Sequence, residues 1–179
     1  RPVGEQIDQR IVKKLGLSHT YFPAPGEEKI RGTHPRGYHL NGEGKLEDIT
    51  EMDPTWGWAA GAMVSTPSEL NTFFQAALDG RLLTQASIQE MKKGVDIGSE
   101  GRVYGLGPIG TPLSCGGTSW GHGGDIAGYH TRGGVGPDGT AVTVAVTALP
   151  TAIADQSNLE SSAKEKYQRN KDAVDATLC

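Results

Sequence analysis

The residues best suited to chemistry lie in the stretch "SWGHGGDIAGY", residues 119–129. One histidine, His122, stands there among glycines, and Asp125 follows three residues later. A histidine can bind a metal ion, transfer protons or pack within a core. Glycines within a strand often mark places where another backbone or a ligand comes close. The surroundings of His122 therefore favour the edge of a catalytic cleft over a packed interior, where bulky neighbours are expected.

A metal site at His122 lacks the further ligands that it would require. Zinc in proteins is held by roughly four ligands, commonly histidines and cysteines at short regular spacings. The sequence has no His-Glu-x-x-His motif and no Cys-x-x-Cys pair, and its other histidines are scattered. We therefore expect neither a metal ion nor a cofactor.

A catalytic histidine also needs a nucleophile, and the sequence offers no convincing one. There is no Gly-x-Ser-x-Gly motif. A literal Ser-x-x-Lys occurs at residues 161–164, where the serine would lie one helical turn from a lysine base. Because serine and lysine are common in such a polar helix, we interpret this match as a chance occurrence.

Charge and composition narrow the class of protein. The formal net charge is −4, and the basic residues form no stripe with interleaved aromatic residues, which argues against a nucleic-acid partner. No apolar run reaches the roughly 18 residues needed to span a membrane. The hydrophobic fraction of 36% is low for a globular domain. One explanation is that part of the core lies on a segment outside this sequence.

The elements that must position these residues follow from periodicity and turn signals. Apolar residues at helical spacing predict helices over residues 4–17, 65–78, 84–93 and 153–178, with Gly16 as the stop of the first and Thr84 as the cap of the third. Residues 21–58 are rich in proline and glycine, which predicts a long irregular excursion with a short strand or hairpin. After Gly94 the pattern predicts short strands with short links, in "RVYGLGPI", "TSWGHGG", "AGYHTRGGV" and "AVTVAVTAL". The prediction is an α+β fold with an antiparallel sheet and the last helix on one face of it.

The ordered motifs of the sequence resemble those of the penicillin-recognising serine hydrolases. "GHGGDIAGY" resembles their third active-site box, which is Lys-Thr-Gly in most members and His-x-Gly in some. "IRGTHPRGYHL", "TWGWAAGAMVSTPSELNTFFQAALDGRLLT", "YGLG" and "LSCGG" occur in the same order as in secreted D-alanyl-D-alanine carboxypeptidases of actinomycete type. The resemblance covers residues 4–179. It implies a β-lactamase/transpeptidase-like fold of which this chain supplies the C-terminal part.

The resemblance also implies a division of the chain and a partner. Residues 1–64 would be the remainder of a helical and irregular region that lines the cleft. Residues 65–179 would supply helices, antiparallel strands and the C-terminal helix of the α/β domain. The family's Ser-x-x-Lys and Tyr-x-Asn boxes both precede this region, and no Tyr-x-Asn occurs here. The implied partner is an N-terminal chain or fragment of the same hydrolase that carries both boxes, acting on a peptide or peptidoglycan-like substrate.

Matching positions imply roles for individual residues. His122 would face the nucleophile across the cleft and assist proton transfer, and the backbone N–H of Asp125 would be an oxyanion-hole donor. Gly123 and Gly124 would let the substrate lie along the strand as an added β-strand. Trp56 matches a tryptophan that walls the substrate pocket, although core packing explains the residue equally well from sequence alone.

Two cysteines, Cys115 and Cys179, complete the candidate residues. The residues alone leave open a disulfide or two buried thiols. In the family group that the chain resembles, a pair at these positions forms a disulfide, which implies one here and a secreted protein. A loop of that length is worth roughly 4 kcal/mol in the chain-entropy model.

The chain departs from the carboxypeptidases at the residues that hold the substrate's terminal carboxylate. An arginine and two threonines there correspond to Ile109, Gly123 and Asp125 here. A carboxylate is best held by cations and hydroxyls, and an aspartate repels it. We therefore expect a carboxypeptidase-like serine hydrolase working through an acyl-enzyme, with endopeptidase, amidase, esterase or D-aminopeptidase activity favoured over strict carboxypeptidase activity. The alternatives are a β-lactamase or an inactive peptidoglycan-binding relative of the same family.

Overall fold

Helices and antiparallel strands both form in the computed structural model, which describes residues 2–98 and 100–179. The α-helices are α1 (Val3–Ile7), α2 (Lys13–Leu15), α3 (Trp58–Gly61), α4 (Pro67–Leu78), α5 (Gln85–Lys92) and α6 (Leu159–Leu178). The strands are β1 (Tyr38–Leu40), β2 (Leu46–Asp48), β3 (Val95–Asp96), β4 (Val103–Tyr104), β5 (Ile109–Pro112), β6 (Thr118–Gly121), β7 (Gly124–Ile126), β8 (Tyr129–Val135) and β9 (Ala141–Val146). A π-helical turn (Asp8–Val12) joins α1 to α2, and 3-10 turns cover Pro54–Gly57 and Gln156–Asn158. The predicted α+β class is confirmed.

The predicted helices are present, with differences at their ends. The first ends at Gly16, whose left-handed φ of 68° suits a glycine at a helix C-terminus. Thr84 caps α5 as predicted, because its side chain accepts a hydrogen bond from the N–H of Ser87. The last helix begins at Leu159 rather than Ile153. The reason is that the Asp155 side chain accepts from the N–H of Ser157 and starts a 3-10 turn first.

The irregular excursion contains more structure than the sequence indicates. It includes the β1–β2 hairpin, in which Tyr38 lies opposite Asp48. It also includes the 3-10 turn Pro54–Gly57, which is capped by the Asp53 side chain accepting from the N–H of Thr55.

Two predicted strands are each interrupted. "RVYGLGPI" forms β4 and β5, because the chain turns between them where the N–H of Gly105 donates to the carbonyl of Pro108 at 2.9 Å. "TSWGHGG" ends as β6 at Gly121, and pairing resumes only in β7. His122 and Gly123 therefore lie between two strands rather than within one.

Internal contacts divide the chain into two units. The first comprises Arg1–Thr66, Gly124–Thr131 and Ala145–Asn170. Within it, β7 and the beginning of β8 form an antiparallel hairpin. Its buried apolar side chains are mostly small, namely Leu17, Ala62, Ala148, Ala152, Ala154 and Ala163.

The second unit comprises Pro67–Gly123, Arg132–Val144 and Lys171–Cys179. Strands β3, β4, β5 and β6 pair antiparallel in sequence order, and Trp120 on β6 lies opposite Val135 on β8. Its buried apolar side chains are Ala76, Ile88, Leu113, Val135 and Leu178. The division of the whole protein at residues 64 and 65 stays a prediction. Within the described residues, no helix has the length and apolarity to cross a bilayer.

A covalent link and a pair of hydrogen bonds fix the end of α6 within the second unit. Cys115 and Cys179 form the predicted disulfide, with a Cα–Cα distance of 5.7 Å and a sequence separation of 64. Beside it, the hydroxyl and the N–H of Ser114 donate to the two carboxylate oxygens of Asp175 at 2.5 and 2.8 Å. These bonds lower the pKa of Asp175, the hydroxyl contributing most.

Replacing both cysteines by serine (Cys115→Ser with Cys179→Ser) is expected to reduce the free energy of unfolding by about 2–4 kcal/mol. The unfolded chain regains the conformational freedom that the closed loop removes. Urea unfolding of the variant and of the reduced wild type should give the same lowered midpoint. A variant midpoint equal to that of the oxidised wild type would contradict the prediction.

Candidate active site

His122 follows directly after β6 and is exposed, so it is not a core histidine. The preceding residue, Gly121, is buried against β8, where a Cβ atom would overlap the carbonyl oxygen of Gly133. Only glycine fits at such a close approach of two backbones. Gly121 therefore serves the packing of the sheet, and His122 is the first residue after the strand.

Two hydrogen bonds fix the ring and the tautomer of His122. Its Nδ1 lies 2.6 Å from the carbonyl oxygen of Gly123, and its Nε2 lies 2.8 Å from the hydroxyl of Tyr104. A carbonyl oxygen only accepts, so Nδ1 carries the proton and donates it. In the neutral ring Nε2 is then an acceptor, and the Tyr104 hydroxyl donates to it. The ring is thus held from both sides.

Tyr104 is a site residue that the sequence does not reveal. It lies on β4 and is 40% exposed, and its ring meets His122 edge to face with centroids 5.7 Å apart. Tyr104 pairs with Ile109 on β5, which in turn pairs with Gly121. The contact therefore depends on the register of three strands, which no local sequence pattern specifies.

Asp125 makes its own contact within the first unit. Its Oδ1 accepts a hydrogen bond of 2.5 Å from Nδ1 of His130, the residue opposite it in the β7–β8 hairpin. The strands are joined by Ala127 and Gly128, so Ile126 and Tyr129 form the hydrogen-bonded closing pair. Pairs alternate along an antiparallel ladder, which makes Asp125 and His130 a non-hydrogen-bonded pair with close side chains. The backbone N–H of Asp125 therefore points away from β8.

His130 is fully buried, with 0% of its surface exposed. Its ring lies edge to face against Tyr167 on α6, with centroids 5.2 Å apart. The sequence does contain a signal for the pair, because Asp125 and His130 stand symmetrically about the Ala-Gly turn. Recognising the pair requires a hairpin at that turn, whereas the sequence pattern predicts a strand that begins at Ala127.

The other predicted site residues are more isolated. Gly123 supplies the carbonyl that accepts from His122, and Gly124 begins β7, whose strand partner within the described residues is β8. Trp56 lies on the 3-10 turn Pro54–Gly57 and is 72% exposed, so it does not pack in a core. The roles of these residues toward a substrate stay predictions.

The literal Ser-x-x-Lys motif belongs to the last helix, α6. Ser161 and Lys164 both lie on the exposed surface of α6. Within residues 2–98 and 100–179, no group of three or more histidine, cysteine, aspartate or glutamate side chains is arranged to hold a metal ion.

Comparison with known proteins establishes the family. The chain belongs to the beta-lactamase family, whose model matches residues 1–173. This confirms the resemblance to penicillin-recognising serine hydrolases and the β-lactamase/transpeptidase-like fold.

Solved structures give more specific similarities. A D-stereospecific amidohydrolase from a Streptomyces species is 34% identical, with a TM-score of 0.75 over 81% of this chain and 43% of that chain. A D-amino acid amidase from Ochrobactrum anthropi SV3, solved with D-phenylalanine, is 27% identical, with a TM-score of 0.64 over 83% and 45%. An octameric penicillin-binding protein homologue from Pyrococcus abyssi is 25% identical, with a TM-score of 0.69 over 81% and 33%. The chain thus spans less than half the length of each of these proteins.

Replacing Tyr104 by phenylalanine should remove the hydrogen bond to Nε2 of His122. In mildly alkaline solution, ¹⁵N NMR should show the Nδ1–H tautomer in the wild type. The unprotonated Nε2 resonance should move downfield in Tyr104→Phe, because the nitrogen loses its donor. His34, whose Nδ1 contacts the carbonyl of Gly32 at 2.7 Å, is an internal control and should not shift. A proton on Nε2 of wild-type His122 would refute the assignment.

Proposed function

We propose that this chain is the C-terminal part of an exported serine hydrolase that cleaves amide bonds of D-amino acid derivatives through an acyl-enzyme. The observation that carries the proposal is the 34% identity with a D-stereospecific amidohydrolase over 81% of this chain. The D-amino acid amidase at 27% identity supports the same bond and the same stereochemistry. The disulfide supports an exported protein, since disulfides persist in oxidising compartments.

The nucleophile of this hydrolase lies, in our proposal, on an N-terminal segment that carries Ser-x-x-Lys and Tyr-x-Asn. The coverage of only 43% of the amidohydrolase chain leaves room for such a segment. Two large aromatic side chains of the first unit, Trp56 and Trp58, are 72% and 58% exposed. Exposed apolar clusters of this kind commonly mark surfaces that another segment or a ligand covers. They support a complementary segment here, with Trp56 as a wall of the substrate pocket.

The chemistry proceeds in two steps that balance without a cofactor. The serine oxygen attacks the amide carbon, the C–N bond breaks, and the amine leaves with a proton, so that an ester to the enzyme remains. Water then attacks this ester, releasing the acid and restoring the serine. His122 would assist the proton transfers near the nucleophile, and its ring is already oriented by Gly123 and Tyr104. Such preorganisation lowers the cost of reaching the transition state.

The oxyanion formed in each step needs hydrogen-bond donors. We assign one of them to the backbone N–H of Asp125, which points away from β8. Gly123 and Gly124, which carry no side chains, would allow an extended substrate to lie along β7 as an added strand.

Charge favours substrates that end in a neutral amide over substrates that end in a free carboxylate. The Asp125 side chain is 41% exposed although it binds His130, so its negative charge still faces solvent. A like charge on a substrate's terminal carboxylate is repelled, whereas a neutral amide is not. Ile109 and Gly123 supply neither the cation nor the hydroxyl that a carboxylate needs. Strict D-alanyl-D-alanine carboxypeptidase activity is therefore the less favoured function.

The whole protein, with its N-terminal segment, should hydrolyse D-phenylalanine amide faster than the L isomer. His122→Ala is expected to lower kcat by about 100-fold, because it removes a group that assists proton transfer. The matched control is His34→Ala, which removes another exposed histidine bound to a backbone carbonyl and should leave kcat unchanged. Equal rates for the two isomers, or equal kcat for the two alanine variants, would contradict the proposal.

A further inference from the structure

The proposed oxyanion donor lies on a strand with little support of its own. Strand β7 has three residues, and all three pair with β8 (Gly124 with Thr131, Asp125 with His130, Ile126 with Tyr129). Among the described strands β7 pairs with β8 alone, so it is an edge strand with ladder hydrogen bonds on one side only. The position of the Asp125 N–H therefore depends also on the contacts that the side chains of β7 and β8 make with the rest of the unit.

One face of the hairpin is anchored through Tyr129. Its hydroxyl donates to the carbonyl of Pro35 at 3.1 Å. Its ring lies so close to Gly37 that a Cβ atom on that residue would overlap the ring. Burial raises the pKa of Tyr129, which keeps the hydroxyl protonated as a donor. This anchor acts on β8 and does not touch Asp125.

The opposite face is anchored through His130, the neighbour of Tyr129 along the strand. Its ring is fully buried and contacts Tyr167, which places the ring on α6. Its Nδ1 donates to the carboxylate of Asp125 at 2.5 Å. A hydrogen bond to a charged acceptor is stronger than one between neutral groups. It links β7 to a buried ring that rests on a helix.

We infer that His130 is a positioning residue for the hydrolysis, acting through Asp125 on the oxyanion donor. The inference rests on the proposed function, because it assigns His130 to the donor on β7. His130 touches neither substrate nor reacting atoms. It holds the Asp125 side chain, and thereby the backbone N–H of the same residue, in the orientation that meets the developing negative charge. A donor must be placed within a few tenths of an ångström to be effective, so a loosened anchor reduces kcat more than substrate binding.

Two substitutions separate the hydrogen bond from the packing of the ring. His130→Phe keeps a ring against Tyr167 but loses the Nδ1–H donor. His130→Asn loses most of the ring but keeps an N–H donor at the position of Nδ1. Tyr129→Phe is the control for stability, because it removes a hydrogen bond from the same strand on the other face.

In the whole protein, His130→Phe is expected to lower kcat for D-phenylalanine amide by roughly 10- to 100-fold with little change in KM. His130→Asn should retain most of the wild-type kcat although its melting temperature falls. Tyr129→Phe should lower the melting temperature without lowering kcat. If kcat depends instead on the packing of the ring against Tyr167, His130→Asn will be impaired and His130→Phe will not. That result would show that the inference is wrong. Equal impairment of both, or of neither, also overturns it.

The acceptor side of the bond gives a second test. Asp125→Ala removes the acceptor and should lose as much kcat as His130→Phe. The double variant should lose no more than either single variant, because both remove one interaction. Additive losses would overturn the inference.

Hydrogen exchange of the Ile126 amide, which belongs to the hydrogen-bonded pair with Tyr129, provides a readout that does not require activity. Exchange should be faster in His130→Phe than in the wild type and Tyr129→Phe, because the strand opens more easily. If the wild type hydrolyses no D-amide, the proposed function fails, while the exchange rates still decide whether His130 holds the strand. Unchanged exchange in His130→Phe would refute the anchoring itself.

Discussion

The close approach of three backbones in the second unit is the constraint on which the candidate site depends. A Cβ atom on Gly121 would overlap the carbonyl of Gly133, and one on Gly133 would collide with the backbone and side chain of β9. Glycine is therefore required on β6 and on β8 at the same level of the sheet. Strand β6 ends at Gly121, and His122 is the next residue. The Gly123 carbonyl and the Tyr104 hydroxyl then fix the direction of the ring.

The two histidines of this region have different surroundings and different consequences. His122 is exposed, and each of its ring nitrogens has a hydrogen-bond partner within the second unit, which fixes the orientation of the ring. His130 is buried in the first unit and binds a carboxylate. An exposed, oriented imidazole suits proton transfer, whereas a buried one that donates to an aspartate suits support of the backbone. A tyrosine lies edge to face against each ring, Tyr104 in one case and Tyr167 in the other.

Local patterns in the sequence were sufficient for much of the fold and for part of the site. Helical spacing predicted α4, and Gly16 predicted the end of the first helix. The ordered motifs predicted the family and the Cys115–Cys179 disulfide. The contact of Tyr104 with His122 was not predictable, because it depends on strand register across β4, β5 and β6. The interruption after Gly121 was also not predicted, and the close approach that requires glycine at this position involves Gly133 on β8, which lies outside the motif. Gly121 serves the packing of the sheet, whereas the roles of Gly123 and Gly124 toward a substrate stay predictions.

In our proposal this chain completes a serine hydrolase whose nucleophile lies on a preceding segment. The most direct measurement is to trap the acyl-enzyme of the whole protein with an active-serine reagent and to map the modified residue by tandem mass spectrometry. We expect a single adduct, on the serine of a Ser-x-x-Lys sequence that precedes these 179 residues. An adduct on Ser161, on any other serine of this chain, or on no serine at all would contradict it.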